Sequence, residues 1–245
     1  MIAILKKELH SFFNAPIGYL ILLVFLVLNG LFLWVFREGF NIFDYGFADL
    51  SLFFLLLPWV FLFLVPAITM RSFSEEKKLG TLELLLIKPI SVTKVVLGKF
   101  LGVVIVGLIA LLPTILYVFA ISDLGITPGN YDLGVIIGSY LGTVLLLGLY
   151  CSVGIFTSTL SDNQILAFVL GAVFCFLLFY GAEALSTLTT DGGLQQQIRV
   201  WGCKAHFENI SRGVIDTRNV IYFLSVTAFF LILAIKRLSQ TKSLK

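Results

Sequence analysis

Six stretches of about twenty apolar residues divide this chain of 245 residues, and nothing else in it so narrows what it can become. A hydrocarbon core roughly 30 Å thick takes about twenty helical residues to cross. The stretches run over about 17–36, 50–69, 95–121, 133–157, 165–182 and 220–235. Backbone polar groups find no partner in lipid, so each stretch has to be a helix. Only 13% of the residues are charged, where a soluble domain carries roughly 25%. No room is left for a soluble catalytic domain. The expected fold is an all-α integral membrane protein, one domain over 1–245 with six transmembrane helices. Pro58 and Pro66 in the second stretch and Pro113 in the third predict kinks, because proline removes a helical hydrogen bond.

Charge fixes the expected orientation. The side holding both termini carries twelve basic and five acidic side chains, a net +7, and the opposite side five basic and nine acidic, a net −4. Lys and Arg accumulate on the cytoplasmic side. Both termini and residues 70–94 are therefore predicted to be cytoplasmic, and 183–219 extracytoplasmic. The overall charge of +3 would hint at nucleic acid in a soluble chain. Split across a membrane it carries no such meaning, and no nucleic-acid partner is expected.

Residues 1–16, MIAILKKELHSFFNAP, are too short and too charged to span. Met1, Ile4, Leu5, Leu9, Phe12 and Phe13 share one helical face, with Lys6, Lys7 and His10 elsewhere. This pattern predicts an amphipathic helix in the membrane plane that stops near Pro16. No small-residue cleavage site follows it, so a cleaved signal is not expected. Between the fifth and sixth stretches, Leu194–Val200 and the residues after it predict one or two short helices capping the bundle.

Few residues offer chemistry. Cys151, Cys175 and Cys203 lack metal-ligand spacing and no disulfide framework is expected. His10 and His206 fall on opposite sides of the membrane and read as surface residues. Phosphate-binding GxxxxGK[ST] loops and paired carboxylates are missing from the sequence. No ionisable group is expected deep in any span, where one would mark an ion path. Glu183 is placed at the interface, and Asn29 is expected to bond across to a neighbouring helix. A secondary transporter or a membrane anchor without transport remains as a rival reading; an embedded enzyme is the poorest. Energy for any transport is expected from another polypeptide. Gly98 and Gly102 in the third stretch, and Gly134, Gly138 and Gly142 in the fourth, recur every four residues. Such faces favour close helix packing, within the chain or across a dimer.

The charged segment between the second and third stretches is the most patterned. Ser74-Glu75-Glu76-Lys77-Lys78 should sit near the headgroups, and Gly80 permits a tight turn. Thr81 could cap a short helix whose first turn holds Glu83. Leu82, Leu84, Leu85, Leu86 and Ile87 follow, until Lys88-Pro89 ends the element. Ser91 should cap the next helix. A short helix that is apolar nearly all round must be buried on two sides, one against the bundle and one in a partner's groove.

The arrangement Arg71, Glu75-Glu76-Lys77, Gly80-Thr81-Leu82-Glu83-Leu84-Leu85, Pro89-Ile90-Ser91, Lys94 and Leu97-Gly98-Lys99 resembles the signature of type-2 ABC exporter permeases. The resemblance covers nearly the whole six-span plan. It implies that Thr81–Ile87 is a coupling helix docking into a separate ATP-hydrolysing subunit, with Glu75, Glu76, Gly80 and Pro89 framing it. Residues 1–16 would be the elbow helix. It also implies a non-catalytic chain with no cofactor of its own, ATP and Mg being held by the partner. A second permease chain, identical or related, would complete the assembly in a bacterial inner membrane. The stretch His206–Phe223 is similar to gliding-motility-associated ABC permeases of Bacteroidetes. That likeness implies envelope work and a further membrane protein with a large extracytoplasmic region.

Overall fold

A computed structural model describes residues 1–37, 39–47, 49–87, 90–125 and 131–243, and at Leu86, Lys242 and Ser243 the backbone alone. Every regular element among them is helical. Six helical segments are long and apolar enough to cross a membrane: Pro16–Val35, Ser51–Lys78, Val92–Leu124, Leu133–Ser158, Gln164–Ser186 and Thr217–Thr241. The all-α six-span architecture is thus present. The end holding both termini is called the basic end below, and the opposite end the acidic end.

Helix α1 (Ile2–Asn14) ends where Ala15 turns extended, and Pro16 opens α2 (Pro16–Gly30) at a position that needs no N–H donor. Gly18 lets the start of α2 lie against the Phe12 carbonyl. A π turn, Leu31–Val35, finishes the first span, and a short α3 (Ile42–Tyr45) follows. Asn29 is fully buried, but its amide donates to Phe25 O of its own helix at 2.7 Å. Among the described residues, the expected bond to a neighbouring helix is not made.

Helix α4 (Ser51–Thr69) holds both Pro58 and Pro66 within one continuous element. It runs through the helical Met70 directly into α5 (Arg71–Lys78). The polar segment expected at the headgroups is therefore a helical extension, with Ser72, Phe73 and Ser74 buried. Its hydroxyls satisfy helix carbonyls: Thr69 donates to Val65 O at 2.9 Å, and Ser74 to Met70 O. After α6 (Thr81–Ile87) comes α7 (Val92–Leu111), then a single 3-10 turn at Leu112–Thr114 and α8 (Ile115–Leu124). Pro113 sits in that turn, within one continuous helical run over Val92–Leu124.

The pillar of the bundle is α9 (Leu133–Ser158), which packs against α4, α7 and four later or shorter elements. Leu147, Leu149, Tyr150, Cys151, Val153 and Ile155 on it are wholly buried. The fifth span is α10 (Gln164–Phe176), a π turn at Leu177–Gly181 and α11 (Ala182–Ser186). Two short helices cap the acidic end, α12 (Gly192–Val200) and α13 (Cys203–Ser211). The last helix, α14 (Thr217–Ser243), reaches well beyond the expected 220–235.

Candidate functional site

At the basic end, α5 and α6 form a bent knuckle. Gly80 makes the bend with φ of +68°, a conformation that residues with a Cβ adopt at a cost. Thr81 is the first residue of α6. Its hydroxyl donates back to Glu76 O at 3.4 Å, tying the first turn of α6 to α5. Leu82 is buried and Leu85 packs half-buried on the core. Leu79, Leu84 and Ile87 are 67%, 64% and 79% exposed, so the knuckle shows an apolar outer surface. Glu83 is also on the exposed side. Lys88 and Pro89, and the side chain of Leu86, lie outside the described residues.

The knuckle is held from behind. Lys77 Nζ donates to the Thr159 carbonyl at the end of α9. Ser91 Oγ accepts from Lys94 N at 3.4 Å and opens α7. The strongest attachment is ionic and centred on Lys99 in the second turn of α7. Its side chain is 2% exposed, with Nζ 2.5 Å from Glu8 Oε1 and 3.2 Å from Glu76 Oε1. It also donates to Ser72 O at 2.7 Å and lies 5.0 Å above the Phe73 ring. Lys7 Nζ donates to the same Glu76 oxygen at 2.9 Å. That hydrogen bond raises the Lys7 pKa above its ordinary value, against the opposing effect of partial burial. Glu75 pairs with Arg71 at 3.6 Å, both partly exposed. One buried ammonium thus ties α1, α5 and α7 together at the root of the knuckle.

The expectation that no ionisable group lies deep in any span did not single out Lys99, whose burial near the basic end of α7 is a tertiary feature. Charge counting assigned it to the basic surface. The clues were its place inside the predicted third span, between Gly98 and Gly102, and a lone acid, Glu8, in residues 1–16. A burial that depends on a helix folding back from the N-terminus has no local pattern to betray it.

The glycine faces meet short helices rather than long ones. A Cβ at Gly98 would come 3.1 Å from Ile4 and from Met1 O, and one at Gly102 would come 2.9 Å from Glu8 Cβ. Thus α1 lies in close contact across α7, not only on lipid. At the acidic end, a Cβ at Gly138 would come 2.7 Å from Ile210 O, and Gly142 faces Ile210 and Phe207 of α13. Gly134 meets only Asp132, whose carboxylate accepts from Gly134 N at 2.8 Å and caps α9.

Elsewhere at that end, Glu183 pairs with Arg199 at 3.2 Å and Lys204 at 3.7 Å. His10 is exposed, but His206 is half-buried: its ring stacks on Tyr222 at 4.0 Å, and Nδ1 lies 2.7 Å from Asn219 Oδ1. Cys151, Cys175 and Cys203 are buried thiols. Burial pushes the Cys203 thiol up to about 11, the Tyr222 hydroxyl opposing it from 3.5 Å. Among the described residues, no three His, Cys, Asp or Glu side chains gather into a metal site.

Together these features define an all-helical, multi-pass membrane protein with an apolar knuckle at its basic end. Residues 36–200 match the family described as ABC-2 family transporter protein, and the chain belongs to that family. The matched region takes in spans two to five and the knuckle, and stops before α13 and the last span. No curated protein matches the chain. Membership makes it a permease subunit of an ABC transporter; such subunits are in general non-catalytic, dimeric and served by a separate ABC ATPase.

Proposed function

We propose that this permease is driven by a cytoplasmic ABC ATPase that docks on the knuckle formed by Gly80, Thr81, Glu83, Leu84 and Ile87. The observation that carries the reading is the exposure of Leu79, Leu84 and Ile87 on an element anchored to three other helices. Short apolar helical faces enter partner grooves, where buried anchors supply most of the binding energy. In this reading the basic end is cytoplasmic, as its excess of Lys and Arg favours. ATP and Mg are bound by the ATPase. Closure of two ATPase subunits pushes on α6, and Glu76 passes the displacement to Lys99 on α7 and to α1. Two permease chains, identical or related, line the path or a lateral opening. The narrower setting is export or envelope work in gliding motility within an inner membrane, supported by the likeness of His206–Phe223.

The test is a double substitution, Leu84→Glu with Ile87→Glu, followed by affinity purification of the permease from membranes. Loss of the co-purifying ATPase, with permease abundance and melting temperature unchanged, is the expected result. Full retention of the ATPase contradicts the assignment. Separately, a cysteine introduced at Lys242 should resist impermeant thiol reagents in intact cells; rapid labelling there would reverse the orientation.

A further inference from the structure

A cavity of about 360 Å³ lies under the elbow, walled by α1, the start of α2, the α4–α5 junction and α7. Its lining changes character along one direction. Toward the basic end stand Lys7, Arg71 and Lys99 together with Glu8, Glu75 and Glu76, three positive against three negative groups. One or two turns inward, α2, α4 and α7 present only small or apolar side chains, among them Ile21 on α2, Ile68 on α4, and Val103 and Val106 on α7. The α4–α5 helix and α7 therefore pass from charged to apolar in the same sense, while α2 adds apolar wall alone. The polar half is built, since Lys99 is almost wholly buried and held by three acceptors. It is also incompletely satisfied: Glu76 Oε2 is buried without a hydrogen-bond partner among the described residues, and Arg71 Nε has only the 3.6 Å ion pair with Glu75. Buried polar atoms normally have partners, and each exception calls for an explanation.

We infer that this cavity is a binding site for a membrane phospholipid whose headgroup carries both a phosphate and a primary ammonium. The balance of charge selects the headgroup. A purely anionic ligand would face three carboxylates, and a purely cationic one three cations. A zwitterion places its phosphate by Arg71 and Lys7 and its ammonium by Glu75 and Glu8. A primary ammonium donates hydrogen bonds to carboxylates, which a quaternary one cannot do. The apolar inner wall accepts the start of the acyl chains, at the depth where an interfacial helix such as α1 rests. The cavity volume falls within the range of small-ligand sites. A lipid so placed would brace the elbow against α7 and α5. The inference requires the chain to be in a membrane but does not rest on ATPase docking.

The test uses the full chain, extracted in detergent and examined by native mass spectrometry after addition of matched-chain ethanolamine, choline and glycerol phospholipids. Soluble phosphoethanolamine is a separate competitor. The ethanolamine lipid should be retained about tenfold over the other two, and Arg71→Gln or Glu75→Gln should each lower retention about tenfold, as expected for one charge-assisted bond. Both residues are partly exposed, so unchanged melting temperatures exclude misfolding as the cause. Phosphoethanolamine should compete only at far higher concentration, because it lacks the chains. Equal retention of the three lipids, a preference for the anionic one, competition by phosphoethanolamine at equal concentration, or undiminished binding in both variants would each overturn the site. The Leu84→Glu, Ile87→Glu chain should keep its lipid, which separates this result from the fate of the ATPase reading.

Discussion

At each end of the bundle a short helix lies across a glycine-faced membrane helix, and the two contacts are made of opposite materials. At the basic end α1 meets α7 at Gly98 and Gly102, and the contact is closed by Lys99 between Glu8 and Glu76. At the acidic end α13 meets α9 at Gly138 and Gly142, closed by Ile210 and Phe207 and by one hydrogen bond from Ser139 Oγ to Ser211 O at 3.1 Å. Apolar packing against backbone has one good arrangement, since dense interiors tolerate little displacement. A lysine shared among several oxygens can trade partners while remaining satisfied. Under the proposed function, the acidic end would act as a clamp and the basic end as the joint where the ATPase applies force.

The largest effect should come from Lys99→Met. Removing one partner from a buried ion cluster leaves carboxylates uncompensated, at a cost of about 3–5 kcal/mol. Thermal unfolding in detergent should show it. Adding Glu8→Gln should recover part of the loss, because Glu76 keeps Lys7 as a partner. Strict additivity of the two changes would break the picture of a shared charge.

Gly138→Ala comes next, since its Cβ would meet a backbone oxygen that cannot turn aside. Overpacking of this kind costs about 1–3 kcal/mol. The matching Gly102→Ala meets Glu8 Cβ at 2.9 Å, a slightly wider gap than the 2.7 Å at Gly138, and should cost less. If Gly102→Ala proves the more damaging of the two in the same melting assay, the clamp and the joint have been assigned the wrong way round. Ser139→Ala should then cost about 0.5–1.5 kcal/mol through its one hydrogen bond.

The smallest effect belongs to Lys7→Ala, whose ammonium is 61% exposed; exposed pairs contribute at most about 1 kcal/mol. Its sign with pH is fixed. The Lys7 pKa is raised in the fold, so its contribution is complete below the ordinary 10.5 and vanishes as pH rises through the raised value. The difference in melting temperature between wild type and Lys7→Ala should therefore close only above pH 10.5. Closure nearer neutrality would mean that Lys7 has no such partner.

The span pattern and the knuckle were legible because their signals are local: twenty-residue apolar runs, a glycine before a leucine-rich turn, a serine before α7. The continuity of α4 with α5 had no local signal, because Ser74-Glu75-Glu76-Lys77-Lys78 is polar by composition. Only the tertiary placement of Phe73 and the carbonyls accepting from Ser74 and Lys77 show why it stays helical and packed. The glycine faces were visible, but not their partners, since α1 and α13 lie far from α7 and α9 in sequence. Lys99 was hidden for the same reason. Its counterions are Glu8, 91 residues away, and Glu76, and no spacing rule links either to it.

The central claim, that the knuckle and not the opposite end receives the ATPase, can be tested by one crosslinking comparison. A photoreactive amino acid replaces Leu84 at the basic end or Trp201, which is 81% exposed, at the acidic end. Both are irradiated in intact cells, and crosslinked chains are identified by mass spectrometry. The account predicts an ATP-binding subunit captured from position 84 and none from position 201. Capture from position 201, or from neither position in cells that contain the assembled transporter, would contradict it.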